Sequence, residues 1–395
     1  MASAEATVKR ALRAATARLP ELFAPGTRLV VGFSGGQDSS CLLHALSRSR
    51  MPLEVVAAHV DHALRPDSAE VAARVKQAAA AMGFGCEVRR VDVAAYRRGL
   101  PAWSVQQAAR AARYQVLARV AQEHQAAAVL VAHTADDQAE TVLLNLLRGS
   151  GLGGLAGMPL DEDLEPRRFG PPLAELGVLG QAEDAQTEDG PRKPHVRLAR
   201  PLLRVSRATT LAYCAEAGLT VIEDASNQSR DFTRNRVRLD LLPTLERYNP
   251  SIREVLARTA DLAAEDLAAL EAVVDGVYTS VARTNPRGAS RARSVRTDTV
   301  EVEFDLRLFQ AQPRALQRRL LRRGLQTLLG DLVDVRAAPI EDALDVIRSA
   351  GPANAYHLPH GVELCIGSET ILLRLYGKAR RPNRRNTRES EVPQL

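Results

Sequence analysis

Residues 28–46 read RLVVGFSGGQDSSCLLHAL. The apolar run Leu29–Phe33 predicts a short buried strand and the run Cys41–Leu46 a helix, so the residues between them form a strand-to-helix turn. That turn is Ser34, Gly35, Gly36, Gln37, Asp38 and Ser39. Glycines let backbone amides approach phosphate oxygens, hydroxyls add donors, and a helix amino terminus presents unpaired N–H groups at a positive dipole end. A phosphate cradle is the expectation; the plain alternative is a glycine turn with a serine cap. No Gly-Lys-Ser/Thr triplet occurs, so this is not a Walker A loop. Asp38 beside phosphates would be repulsive without a cation between them. Mg²⁺, which is held by one or two carboxylates plus phosphate oxygens, resolves the conflict and makes Asp38 the metal candidate.

Outward from this stretch, short apolar runs alternate with longer amphipathic ones as far as residue 160, the pattern of a parallel sheet with crossover helices. Strands are expected at Arg28–Phe33, Leu53–Val60, Cys86–Val91 and Ala127–Ala132. The fold class is therefore α/β: an N-terminal parallel-sheet nucleotide-binding domain (1–160, with a strand and helix returning at 195–225), a helical region (201–283) and a small α+β C-terminal domain (298–377). Residues 161–194, rich in acids, prolines and glycines, are expected to form a mobile insertion, 284–297 a basic linker, and 378–395 a disordered basic tail. A helix at Arg258–Val274, a basic helix at Arg314–Leu329, and a hairpin of Ala355–Leu358 with Val362–Leu375 complete the reading.

Composition narrows the function. With 45% hydrophobic and 25% charged residues the chain is neither disordered nor fibrous. Cys41, Cys86, Cys214 and Cys365 are far apart, which argues against a zinc ribbon, an iron–sulfur site or a disulfide framework. No apolar stretch is long enough for a bilayer, and the basic start lacks a signal-peptide core, so no membrane partner and a cytoplasmic location are expected. Residues 161–190 carry nine acids against two arginines, a charge of −7, leaving +13 on the rest of a chain whose net charge is +6. A polyanion such as nucleic acid becomes a candidate partner.

Three further segments bear chemistry. His133, Asp136 and Asp137 follow a predicted strand, where ligands of open α/β sheets collect, although two acids in a first helical turn also serve as caps. His59 and His62, three apart on extended chain, face opposite ways, so His59 is read as a nucleotide-contacting edge and not as a metal ligand. Arg113, on a helical stretch with Arg110, could clamp a phosphate or simply face solvent. Between 225 and 260 seven arginines stand against four acids, and the six arginines of 306–330 have no acid among them, both suited to an RNA backbone. Gly149–Gly154 fits G-x-G-x-x-G but follows a helix, so it is read as a loop.

Taken in order, SGGQDS (34–39), HVDHALR (59–65), ARYQVL (112–117), HTADDQAET (133–141), RGSGLGGLAGM (148–158), RPLLRVSR (200–207) and EDASNQSRDFTRNRVR (223–238) resemble the PP-loop, or N-type ATP pyrophosphatase, superfamily, and within it the tRNA(Ile)-lysidine synthetase family. The resemblance covers about residues 28–260 and is looser in the third unit. It implies that ATP adenylates C2 of the wobble cytidine in the CAU anticodon of tRNA(Ile), and that L-lysine then displaces AMP. It places Ser34–Ser39 on ATP with Mg²⁺ at Asp38. Asp137, with His133 and Asp136 beside it, would accept the amine's proton or hold its ammonium, and Arg113 and Arg207 would steady phosphate or the activated nucleotide. Asn227, Arg234, Asn235 and Arg238 would grip tRNA. A homodimer stays open. The rivals are a PP-loop tRNA 2-thiocytidine synthetase, which would want paired cysteines, and a non-catalytic RNA-binding protein, which would leave Asp38 unexplained.

Overall fold

The computed structural model describes residues 3–173, 196–222, 230, 232–286, 300–330, 337–349 and 354–375. Its contacts divide the chain into two units, Met1–Leu267 and Ala268–Leu395.

The first unit carries six strands: β1 (Arg28–Gly32), β2 (Glu54–Asp61), β3 (Cys86–Arg90), β4 (Ala128–Leu130), β5 (Asp161–Asp163) and β6 (Arg197–Ala199). Their order in the sheet is β3-β2-β1-β4-β6-β5, parallel except for β5. The helices of this unit are α1 (Ala4–Arg18), α2 (Gln37–Ser47), α3 (Ser68–Ala81), α4 (Val93–Arg98), α5 (Val105–Glu123), α6 (Ala135–Leu147), α7 (Leu152–Leu155), α8 (Arg207–Glu216), α9 (Thr233–Arg236) and α10 (Leu242–Glu246); α11 (Ile252–Val281) begins in it. Strand alternation explains the three layers. Leu29 and Val31 of β1 and Ala128 and Leu130 of β4 enter one core, with Val8, Leu12, Leu42 and Cys214. Val30 and Val129 enter the core on the other face, with Tyr96, Tyr114 and Leu117. Strands buried on both faces explain why these runs are unbroken Val/Leu/Ala.

The chain builds β1, β2 and β3 to one side, then returns to place β4 on the other side of β1. Strand order reverses between β1 and β4, and a ligand site is expected beyond their carboxyl ends. The loop after β1 is 33–36 and that after β4 is 131–134.

The second unit is a five-stranded antiparallel sheet of β7 (Ala282–Pro286), β8 (Val300–Asp305), β9 (Asn354–Leu358), β10 (Val362–Ile366) and β11 (Thr370–Leu375), ordered β7-β8-β11-β10-β9. Helices α12 (Leu306–Gln310), α13 (Arg314–Leu329) and α14 (Ala337–Ser349) accompany it, and Phe304, Phe309, Leu320, Leu321, Leu344 and Leu373 share one core.

Several expectations change. The acidic stretch does not begin an insertion at residue 161: β5 pairs antiparallel with β6, Phe169 stacks on Tyr114 with ring centroids 4.3 Å apart, and the Tyr96 hydroxyl donates to the Pro171 carbonyl at 2.6 Å. Its acids meet arginines that are distant in sequence, Asp161 pairing with Arg197 and Glu162 with Arg200. The rest of the insertion and the 378–395 tail lie outside the described residues. Residues 284–286, read as linker, are in β7, and 362–375 is two strands, not one. The six arginines divide between α12, which holds Arg307, and α13, which holds the other five and is not a free phosphate face. Arg314 and Arg318 pair with Glu341, Arg319 with Glu271, and Arg323 with Asp275, so acids from α14 and α11 engage four of its arginines.

Candidate active site

The loop after β1 is shaped by two glycines. Gly35 has φ +78°, and a Cβ there would lie 2.8 Å from Ile222 Cδ1 and 3.1 Å from Val75 Cγ2, so both the backbone and the space exclude a side chain. The Gly35 carbonyl accepts from the Ile222 amide at 2.9 Å. Gly36, and no serine, caps α2 and supplies no side-chain acceptor, which leaves the first-turn amides available to an anion. Ser34 and Ser39 hydroxyls stand 3.1 Å apart, and Ser39 Oγ donates to the Gly36 carbonyl at 3.0 Å, which fixes the turn from within. Gln37 faces away from the loop: its amide donates to the Arg207 carbonyl at 3.1 Å and so ties α2 to α8.

Asp38 leaves the first turn of α2 toward α8, where Thr210 Oγ1 donates to it at 2.5 Å and Arg207 Nε stands 3.5 Å away. Burial pushes the Asp38 carboxyl above its ordinary range despite Thr210 and Arg207, with nearby Asp137 adding to the rise.

The loop after β4 supplies the rest. Thr134 and Asp137 form a capping box at the start of α6, with the Thr134 amide donating to Asp137 Oδ2 at 2.9 Å. Its other oxygen, Oδ1, accepts from both Arg207 Nη2 and Arg234 Nη2 at 3.1 Å. Glu140, 2% exposed, lies one helical turn on and meets Arg234 Nε at 2.8 Å and Arg207 Nη1 at 3.5 Å. Asp136 accepts the Arg207 amide at 2.7 Å and Arg253 Nη1 at 3.0 Å. Three guanidiniums thus face four carboxylates, Asp38, Asp136, Asp137 and Glu140. Burial alone would raise Asp137, but Arg207, Arg234 and the Thr134 amide outweigh it and hold the carboxyl below its ordinary range. Arg207, although buried, is held firmly cationic by Asp137, Asp38, Glu140 and Asp136.

His133 sits beside this network. Burial lowers its pKa well below the usual histidine range; Arg200, Arg110 and Arg113 push the same way, and Asp137 opposes them. Arg110 is itself lowered to about 10 by burial, with Arg113, Arg234 and Arg200 contributing. Among the described residues Arg113 Nε is buried without a hydrogen-bond partner, and the guanidinium carbons of Arg110 and Arg113 lie 4.9 and 5.2 Å from the Tyr114 ring centroid. Among the described residues no carboxylate pairs with either guanidinium, which suits a phosphate. His59 braces the loop from β2, its Nδ1 3.0 Å from the Phe33 carbonyl.

The sequence-derived residues therefore separate. Ser34–Ser39, His133, Asp136, Asp137 and Arg207 converge at the ends of β1 and β4, with Arg113 on the adjacent helix and His59 behind the loop. Of the four tRNA candidates, Arg234 pairs with Asp137 and Glu140 of the carboxylate cluster and Asn235 is buried. Arg238 is half-buried and makes no ion pair among the described residues; Asn227 lies outside them. Glu140, Thr210, Arg200 and Arg253 were missed. Glu140 had a signal, since it lies four residues beyond Asp136 and three beyond Asp137, on the same helical face; Thr210 is likewise one turn beyond Arg207. Among the described residues no group of three or more His, Cys, Asp or Glu could hold a metal ion, and no helix is long and apolar enough to cross a membrane.

A glycine turn opening a helix at the switch point of a parallel sheet, with an aspartate in its first turn, defines a PP-loop nucleotide-binding protein, and the model of the PP-loop domain family matches residues 5–245. The tRNA(Ile)-lysidine synthase of Dehalococcoides mccartyi (strain CBDB1) is 35% identical over 357 residues, covering 89% of this chain and 67% of that protein. That of Geobacillus kaustophilus (strain HTA426) is 33% identical over 350 residues (87% and 66%), and that of Leifsonia xyli subsp. xyli (strain CTCB07) 37% identical over 308 residues (77% and 77%). The chain belongs to the tRNA(Ile)-lysidine synthase family of PP-loop proteins, and it spans about two thirds of the length of the first two relatives.

Proposed function

We propose that this chain converts the wobble cytidine of tRNA(Ile) with a CAU anticodon to lysidine, in the cytoplasm, using ATP and L-lysine. In the first step the cytidine O2 attacks the α-phosphorus of ATP and pyrophosphate leaves. In the second, the lysine ε-ammonium loses a proton to solvent and the free amine attacks C2. The C2–O bond breaks so that AMP departs with the oxygen, and the proton left on the new C–N nitrogen passes to water. Adenylation is needed because an amide-like oxygen is a poor leaving group.

The observation that carries the reading is the convergence, at one sheet switch point, of a glycine-shaped anion turn with a buried carboxylate–guanidinium cluster. The turn and the α2 amides would hold the ATP phosphates. Asp38 fits Mg²⁺: it is a buried carboxylate whose nearest cation is 3.5 Å away, so its charge is poorly compensated. Bound there, Mg²⁺ would neutralise charge on the leaving pyrophosphate. Arg113, with Arg110 beside it, offers unpaired guanidinium to the nucleotide phosphate, and Arg207 spans Asp38 and Asp137 so that it lies between the two half-sites. Asp137 holds the lysine ammonium in this reading and does not take its proton, because a carboxyl held below its ordinary range is a weak base. Arg238 is left for a tRNA phosphate.

Pyrophosphate release from ATP, measured with a CAU-anticodon tRNA(Ile) transcript with and without lysine, tests the proposal. Release that requires the transcript, and AMP formation completed by lysine, is the expected result. A thiolating enzyme would ignore lysine and a simple RNA binder would release nothing.

A further inference from the structure

Arg200 is the largest of the fully buried side chains, 2% exposed, and none of the chemistry above uses it. It lies directly after β6, anchored by its amide on the Leu160 carbonyl at 2.8 Å. Its guanidinium is used in three directions. Nη1 donates to the Pro159 carbonyl at 2.9 Å, Nη2 pairs with Glu162 on β5, and Nε donates to His133 Nδ1 at 3.2 Å. A guanidinium nitrogen only donates, so the Nδ1 that receives it must carry a lone pair. In a neutral imidazole the proton then resides on Nε2.

We infer that Arg200 is a positioning residue which locks His133 as the neutral Nε2–H tautomer, so that His133 meets the nucleotide as a hydrogen-bond donor and not as the base that deprotonates lysine. The charged groups facing His133 agree with a neutral ring: Arg200, Arg110 and Arg113 on one side of the balance and Asp137 on the other. Glu162 compensates the buried Arg200 charge, which would otherwise carry a large desolvation cost. The tautomer follows from the geometry alone; only the donor role rests on the function proposed above.

The test is two-bond ¹H–¹⁵N correlation of histidine rings in the full-length protein, with His133→Asn to identify the signal. The expected spectrum shows an unprotonated Nδ1 and a protonated Nε2, unchanged between pH 5.5 and 8.5. Removing the donor by Arg200→Met, combined with Glu162→Gln so that the buried charges are removed together, should admit the second tautomer, read as partial protonation of Nδ1, while burial keeps the ring neutral. The same variant should lower kcat by about 100-fold through loss of ring orientation while KM for tRNA stays put. A wild-type ring protonated at Nδ1, or a spectrum unmoved in the double variant, overturns the inference. Should the transcript assay show no lysine-dependent reaction in any form while the spectra behave as expected, the donor role fails with the proposed function and the tautomer assignment stands.

Discussion

At the residue scale the site is defined by what its carboxylates already touch. Both oxygens of Asp137 are occupied, one by its own helix cap and one by two arginines, so its charge is fixed before any substrate arrives. Asp137→Asn keeps the cap geometry but halves the acceptor capacity toward cations. Lysine incorporation should fall by about 100-fold or more, with tRNA binding in a filter assay retained; normal turnover would remove Asp137 from the mechanism. Asp38 behaves oppositely. A carboxyl whose folded pKa is raised contributes stability below its unfolded value and loses it as pH rises through the folded value, so Asp38, once ionised, costs the free protein stability. Asp38→Asn should therefore raise the melting temperature, by about 2 °C if the relief is near 1 kcal/mol, and abolish pyrophosphate release. A variant that is both less stable and inactive would mean Asp38 is structural.

At the element scale, charge in sequence and charge on a surface part company. Helix α13 looks like a phosphate-binding face because its own acids are absent, yet Glu341, Glu271 and Asp275 come from neighbouring helices 23 or more positions away and pair with four of its five arginines. Periodicity within one element carries no information about the partner element. The same limit explains Arg234, whose arginine-rich surroundings suggest RNA while its guanidinium sits on Glu140 and Asp137. By contrast the strands around β1 and β4 were legible to within about two residues, because burial on both faces enforces an uninterrupted apolar run. β5 was not: three acids in a row have no apolar signal, and only the arginines on β6 and just after it make a strand of them. These pairings predict a contrast in the salt dependence of tRNA affinity. Arg238→Gln should reduce the slope of log K against log salt by about one, whereas Arg319→Gln and Arg323→Gln should leave it unchanged. Equal reductions at all three would show that the α13 pairs open on binding.

For the whole molecule, stability is linked to the state of the active-site cluster. Asp137 is held below its ordinary range, so its contribution is fully present above about pH 4 and is lost as pH falls toward the depressed value. Urea midpoints should accordingly drop between pH 7 and pH 3, and the drop should be smaller in Asp137→Asn; parallel curves would mean that other carboxylates dominate. Leu173 and Val196, 2% and 4% exposed, belong to one core, with the Leu173 amide on Gln115 Oε1 at 2.9 Å and the Val196 carbonyl accepting from the Leu164 amide at 2.8 Å. Whatever joins these two posts starts and finishes at fixed points. The Val196 post extends the pairing of β5 with β6, so it holds in place the strands that carry Glu162 and lead into Arg200, and with them the histidine behind.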